Sequence, residues 1–219
     1  MEKNQEMLPP AIRDALPLLT ILAAATVFFL ILPFRWSRLF GTLLLLLLGF
    51  VVFFFRDPDR RTSQDPNAIV APADGKVVLV DLVRESPFSS RPMHRIAIFL
   101  SVFDVHVNRA PVAGTVSKIE HVRGSFLDAR RKEAAERNER QDWWIESPRG
   151  TVGMRQIAGL VARRIVCWVG TGTSLRAGER IGMIRFGSRT ELYLPEQCDI
   201  LVEPGRIVHA GETVVGRWP

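Results

Sequence analysis

Two uninterrupted apolar runs near the start of the chain constrain it most. Pro17–Phe34 (PLLTILAAATVFFLILPF) and Leu39–Phe55 (LFGTLLLLLLGFVVFFF) are 18 and 17 residues long, carry no charge, and are separated only by Arg35-Trp36-Ser37-Arg38. Neither has a polar face to turn toward water, so a pair of buried core helices is the poorer reading. Each run just reaches the length that crosses a hydrocarbon core of about 30 Å. Residues 1–55 therefore read as a membrane anchor of two helices, 17–34 and 39–55, with a re-entrant or interfacial hairpin as the alternative. A hairpin puts both ends on one side. Those ends carry Lys3, Arg13, Arg56, Arg60 and Arg61 against two Arg in the loop, which places them, and the domain that follows, at the cytoplasmic face of the cell membrane. The leader Met1–Leu16 has neither the charge layout nor the cleavage site of a secretory signal.

Beyond the anchor, RDPDRRTSQDPN (56–67) is a polar linker with turn residues. Residues 56–219 then read as one domain with 25 basic and 20 acidic residues, a net charge of +5. Only four of the 29 cations are Lys, so 25 are Arg. That bias fits phosphate recognition or codon composition equally. The cations are scattered and Tyr193 is the sole Tyr, which argues against a nucleic-acid partner and suits an anionic bilayer surface. Cys167 and Cys198 form no CxxC pair and no metal-ligand spacing, so no metal is expected. Cys167, in the apolar run Ile165–Val169, is expected to be a buried small hydrophobe.

The domain alternates short β-like runs with Pro and Gly. One helix is expected, Ser125–Arg140, with Ser125 as its N-cap. Internal similarity is visible: APADGKVVLV (71–80) parallels APVAGTVSKI (110–119), and LRAGERIGMI (175–184) parallels VHAGETVVGR (208–217) around Ala-Gly-Glu. Such Gly-turn-strand repeats suit a mainly β fold, a two-sheet sandwich or barrel with quasi-repeated halves and one or two helices. No Lys occupies a hairpin tip, which excludes a lipoyl- or biotinyl-type carrier.

Three polar motifs interrupt this framework: Pro72-Ala73-Asp74-Gly75, the stretch Phe99-Leu-Ser-Val-Phe-Asp104-Val-His106-Val-Asn108-Arg109-Ala-Pro111, and Phe186-Gly187-Ser188-Arg189. The last lies between expected strands Arg180–Phe186 and Thr190–Leu194. Taken singly they are an Asp-Gly turn, a strand with one satisfied His, and a tight Gly-Ser turn. Taken together they supply an acid, an imidazole base, a hydroxyl nucleophile and an Arg, a set for nucleophilic chemistry. Gly187 leaves its carbonyl sterically open to Ser188 Oγ.

A membrane hairpin followed by APADG, FLSVFDVHVNRAP and GERIGMIRFGSR resembles, over nearly the whole chain, the short form of the phosphatidylserine decarboxylases, which are self-processing pyruvoyl enzymes. The resemblance implies cleavage between Gly187 and Ser188, giving a large chain (1–187) and a small chain (188–219) that stay associated, with Ser188 becoming a covalent pyruvoyl group. That group would replace pyridoxal phosphate as the electron sink for converting phosphatidylserine to phosphatidylethanolamine and CO2. By the same resemblance Asp74, His106 and Ser188 are the catalytic residues, while Asn108 and Arg109 bind substrate. Arg109 stands where longer relatives carry a second His, and Arg189 where they carry Thr. His94, His121 and His209 are the other candidates for the processing base. A homodimer is left open. The alternative from another class is a membrane-anchored β-sandwich adaptor of a transport complex; a Ser hydrolase is excluded by the lack of a G-x-S-x-G elbow.

Overall fold

The computed structural model describes residues 8–131, 133–160, 164–185 and 187–219. The start of the leader, Lys132 of the expected helix Ser125–Arg140, and Phe186 of the expected strand Arg180–Phe186 lie outside the described residues. The chain forms two compact units, Met1–Pro58 and Asp59–Pro219.

The first unit contains α1 (Pro10–Ile31) and α2 (Arg35–Phe54). α1 starts at Pro10 rather than Pro17, because a proline in the first turn needs no N–H partner and its φ already suits a helix. The part of the leader from Pro10 onward is therefore helical. Arg35–Arg38, expected as the connecting loop, form the first turn of α2, where the Ser37 hydroxyl donates to the Phe34 carbonyl at 2.7 Å. The helices meet through Phe29 and Phe40, edge to face with centroids 4.7 Å apart. A Cβ at Gly41 would lie 2.8 Å from the Leu30 side chain, so a small residue is what lets the helices approach there. Both helices are long and apolar enough to cross a membrane.

The second unit is mainly β. In chain order it contains β1 (Ala68–Val70), β2 (Gly75–Val83), β3 (Met93–Leu100), β4 (Val107–Arg109), β5 (Gly114–Val122), a single helical turn α3 (Ala134–Arg137), β6 (Arg140–Ser147) and β7 (Gly150–Ile157). It continues with β8 (Ile165–Cys167), β9 (Ser174–Leu175), β10 (Arg180–Ile184), β11 (Ser188–Pro195), β12 (Asp199–Ile200), β13 (Ile207–Val208) and β14 (Val214–Arg217). Eight strands make one sheet in the order β13-β2-β3-β11-β7-β6-β5-β9, and two three-stranded sheets run β1-β14-β12 and β4-β10-β8.

The sequence repeats surface as a quasi-twofold pattern in this topology. Gly75 and Gly114 each open a nine-residue strand of the large sheet, and these strands are flanked at their starts by β13 and β9. The Gly211 amide donates to the Ala71 carbonyl at 2.9 Å and the Gly178 amide to the Ala110 carbonyl at 2.8 Å. Each Ala-Gly-Glu segment thus closes onto its own Ala-Pro segment.

One face of the large sheet packs against the small sheets. Ile96, Ile98, Leu100, Trp143, Ile145, Met154, Leu192 and Leu194 share one core with Ile69, Ile181 and Val215. Side chains alternate along β11, with Leu192 and Leu194 on that side. Its other face is also buried: Arg189, Glu191 and Tyr193 are at most 5% exposed. Charges of opposite sign stand in register across this second face. Asp81 binds Arg95 through two bonds of 3.0 and 2.6 Å. Asp142 grips Arg155 twice at 2.7 Å. Between them, Glu191 pairs with Arg189 and receives the Tyr193 hydroxyl at 2.5 Å. Phe88, packed on Tyr193 and Trp144, covers one end; the segment before β6 covers the other, accepting a bond from Arg155 at the Ala135 carbonyl.

That covering segment departs from expectation. Instead of a helix over Ser125–Arg140, only Ala134–Arg137 is helical among the described residues of that span. Ser125 is not an N-cap: its amide donates to the Arg137 carbonyl at 2.7 Å and its carbonyl accepts from Glu139 at 3.0 Å. Asp128 turns onto the Arg130 amide at 3.0 Å, a local bond that competes with helix. The stretch also lacks an apolar stripe that packing could reward. Cys167 is exposed rather than buried. β8 is an edge strand of its sheet, and the Cys167 thiol donates to the Val169 carbonyl at 2.9 Å.

Burial and the neighbouring Glu191 carboxylate push the Tyr193 phenol well above its ordinary value. Tyrosinate absorbance reads this residue alone. Native protein is expected to show no tyrosinate as pH passes about 10, where the unfolded chain titrates. The unfolded state then loses its proton first, so stability declines as pH climbs through that range. A native titration at the ordinary phenol value would contradict the placement.

Candidate active site

β10 and β11 are consecutive strands but not a hairpin. β10 pairs with β4 and β8, whereas β11 lies between β3 and β7 in the large sheet. The chain passes from one sheet to the other through Gly187, whose φ of +53° lies in the left-handed region that glycine takes without strain. Ser188 follows as the first residue of β11, opposite Leu100. It is fully buried, and its Oγ has no hydrogen-bond partner among the described residues. An unsatisfied buried hydroxyl costs about 1–3 kcal/mol, which folding alone gives no reason to retain.

His106 is the neighbour that gives this hydroxyl meaning. It is fully buried. Its Nδ1 lies 2.9 Å from the Asp104 carbonyl, and the Gly187 amide donates to its Nε2 at 3.3 Å. A carbonyl can only accept and an amide N–H can only donate, so this pattern assigns the neutral imidazole with its proton on Nδ1 and its lone pair on Nε2, facing Gly187. The preceding loop fixes the carbonyl. Asp104 Oδ2 accepts from the Ser101 amide at 2.7 Å and from the Ser101 hydroxyl at 2.8 Å. The motif Ser101–His106 is thus a clamp on one imidazole.

Asp74 is placed differently. It precedes β2, which is separated from β11 by β3, so two strand spacings, about 10 Å, lie between the backbones. Its Oδ1 accepts from the Ala210 amide at 2.7 Å; its Oδ2 accepts from Arg60 at 2.8 Å and lies 3.5 Å from His209 Nδ1. Arg60 also reaches Glu212 at 3.2 Å. The Arg61 amide, with Arg60 behind it, holds the Glu212 carboxyl below its ordinary range. The structure therefore brings His106, Gly187 and Ser188 together and gathers Asp74 with Arg60, His209 and Glu212. Nδ1 of His106 rests on a backbone carbonyl, where the triad expectation puts a carboxylate.

Asn108 and Arg109 are both buried. Asn108 donates to the Pro72 carbonyl and to Thr190 Oγ1, each at 3.2 Å, and accepts from Gln156 at 2.8 Å. Gln156 in turn accepts from Trp143 Nε1 at 2.7 Å. This network ties β4 to β11, β7 and β6 immediately beside Ser188. Arg109 donates to the Gly178 carbonyl at 3.1 Å. Of the other histidines, His94 bonds the Glu196 carbonyl and His121 lies 3.7 Å from Glu139. Arg60, Gln156 and Thr190 were missed by sequence reasoning, since nothing in a polar linker or a strand alternation marks them. Among the described residues, no group of three His, Cys, Asp or Glu is placed to hold a metal ion.

A hydroxyl without a partner among the described residues, one residue past a glycine whose amide bonds a neutral imidazole, is an arrangement that can serve acyl chemistry on the chain's own backbone. A profile of the phosphatidylserine decarboxylase family matches residues 47–216. A phosphatidylserine decarboxylase proenzyme of Magnetococcus marinus is 45% identical over 183 residues, covering 83% of this chain and 84% of the relative. The chain belongs to the phosphatidylserine decarboxylase family and is a decarboxylase. The adaptor reading falls with that membership.

The Asn108 network yields a stability test. Asn108→Leu removes three bonds and strands buried acceptors, so it is expected to lower unfolding free energy by about 1–3 kcal/mol or more. Denaturant unfolding with an unchanged midpoint would contradict the network.

Proposed function

We propose that this chain decarboxylates phosphatidylserine to phosphatidylethanolamine and CO2, using a pyruvoyl group that it makes from Ser188. The observation that carries the reading is the buried Ser188 Oγ next to Gly187, unpartnered among the described residues. In the first step Oγ attacks the Gly187 carbonyl carbon as His106 Nε2 takes the hydroxyl proton. The Gly187–Ser188 C–N bond breaks, and that proton passes to the freed amine, leaving an ester. Loss of the α-proton of residue 188 with cleavage of its Cβ–O bond releases Gly187 as a carboxylate. Water then displaces ammonia from the remaining enamine and leaves a ketone at residue 188. Chains 1–187 and 188–219 result, and β11 keeps the small chain paired on both sides.

The pyruvoyl ketone supplies the electrophile and electron sink for decarboxylation. Ser188 fits this use: its side chain is enclosed, and the glycine before it is free to change direction. His106, held by the Asp104 carbonyl, takes a proton from the substrate ammonium group on Nε2 and returns it to the carbon that has lost CO2. Asn108 and Arg109 form the head-group side of the site. Asp74, held by Arg60 and bonded to Ala210 of the small chain, supports processing from beyond β3. Residues 1–55 anchor the enzyme in the cell membrane with the domain of residues 56–219 on the cytoplasmic face, next to its lipid substrate.

Cleavage and turnover are scored separately to test this. His106→Ala is expected to slow cleavage by about 10²–10⁴, the usual worth of a general base. Asp74→Asn should slow it less, because Nδ1 is already held by a carbonyl. Reduction of the wild type with borohydride should abolish decarboxylation of phosphatidylserine vesicles. Activity that survives both Ser188→Ala and borohydride would overturn the pyruvoyl reading. Separately, deletion of residues 1–55 should move the protein out of the membrane fraction while cleavage persists; a full-length chain soluble without detergent would contradict the anchor.

A further inference from the structure

Gly159 follows β7 and lies against the bond proposed to break. A Cβ built on it would sit 2.1 Å from the Gly187 carbonyl oxygen, 3.1 Å from the Gly187 carbonyl carbon and 3.5 Å from Ala129 Cβ. At 2.1 Å two heavy atoms overlap outright, so residue 159 or the carbonyl would have to move. The contact is with backbone, which has no flexible end to swing aside. The glycine is needed for this close approach, since its φ is not among the positive ones.

The position of Gly159 is itself fixed. Asn138 is fully buried. Its amide nitrogen donates to the carbonyls of Ala158 and Leu127, each at 2.8 Å, and its oxygen accepts from the Leu127 amide at 2.9 Å. The Ala158 amide donates to the Glu139 carbonyl at 2.9 Å. Asn138 therefore ties the segment carrying Ala129 to the residue before Gly159. Gly187 is held from two directions: its amide by His106 Nε2 at 3.3 Å and its carbonyl oxygen against the Gly159 backbone. These two contacts bear on the direction of the carbonyl that Ser188 Oγ must reach.

We infer that Gly159, seated by Asn138, is a positioning residue for self-cleavage, aiming the Gly187 carbonyl at Ser188 Oγ. The inference rests on the cleavage site proposed above. It assigns Gly159 to the first step, the acyl shift from nitrogen to oxygen, because that is the step in which the carbonyl direction matters. A misplacement of about 1 Å in a reacting group can cost on the order of 10² in rate.

The test follows cleavage of the full-length chain in detergent by intact mass, with and without hydroxylamine, which splits an ester but not a folded amide. Gly159→Ala is expected to cleave at least about tenfold more slowly, to melt at the same temperature as uncleaved Ser188→Ala, and to gain no cleavage from hydroxylamine. Asn138→Asp, which adds no heavy atom but replaces two donations by repulsion, should slow the same step. It serves as the reading if Ala at 159 prevents folding. Wild-type rates in both variants would overturn the inference, as would an ester that accumulates and is split by hydroxylamine. A wild type that never cleaves would instead overturn the site itself.

Discussion

The structure depends on where β11 sits. It occupies the middle of an eight-stranded sheet, paired to β3 over its whole length and to β7 over most of it, while the strand before it belongs to another sheet. A chain that must leave one sheet and enter the centre of another needs an abrupt change of direction, which a left-handed φ of +53° provides here. Gly187 supplies that change. The consequence is chemical as well as geometric. The residue that opens the central strand has its hydroxyl buried at a backbone carbonyl, and the strand is held on both sides. A break at its first bond would therefore not release it.

The second face of the sheet gives this arrangement its rigidity. Asp81, Arg95, Glu191, Arg189, Arg155 and Asp142 sum to no net charge; Asp81–Arg95 and Asp142–Arg155 join neighbouring strands, and Arg189–Glu191 pairs within β11. The two buried pairs, Asp142–Arg155 and Arg189–Glu191, add little net stability, because desolvation offsets their attraction, but losing one partner leaves a buried charge at a cost of about 3–5 kcal/mol. The ladder thus penalises a slip in register more than it rewards the correct one. A slip of β11 by one residue would set Leu192 and Leu194 among the charges and move Ser188 away from His106.

Much of this was legible in the sequence. The two apolar runs, the mainly β domain and the paired Ala-Pro and Ala-Gly-Glu repeats correspond to the helices and the quasi-twofold topology, because period and turn chemistry are local properties. His106 and Gly187-Ser188 were legible as motifs and meet in space. What was not legible depended on distant partners. The Ser125–Arg140 segment has helix-forming residues, yet Ser125 is claimed by Arg137 and Glu139 and Asp128 by Arg130. Cys167 sits in an apolar run, but the run forms an edge. Arg60 looked like a linker charge and instead binds Asp74 and Glu212, 14 and 152 residues away.

The central claim is that residue 188 is remade from serine by the chain itself. Intact mass of the purified full-length protein tests it most directly. The account predicts two species, a chain ending at Gly187 and a fragment of residues 188–219 lighter by one ammonia than its encoded sequence. A single unbroken chain that decarboxylates phosphatidylserine, or a fragment beginning with unmodified serine in an active preparation, would contradict it.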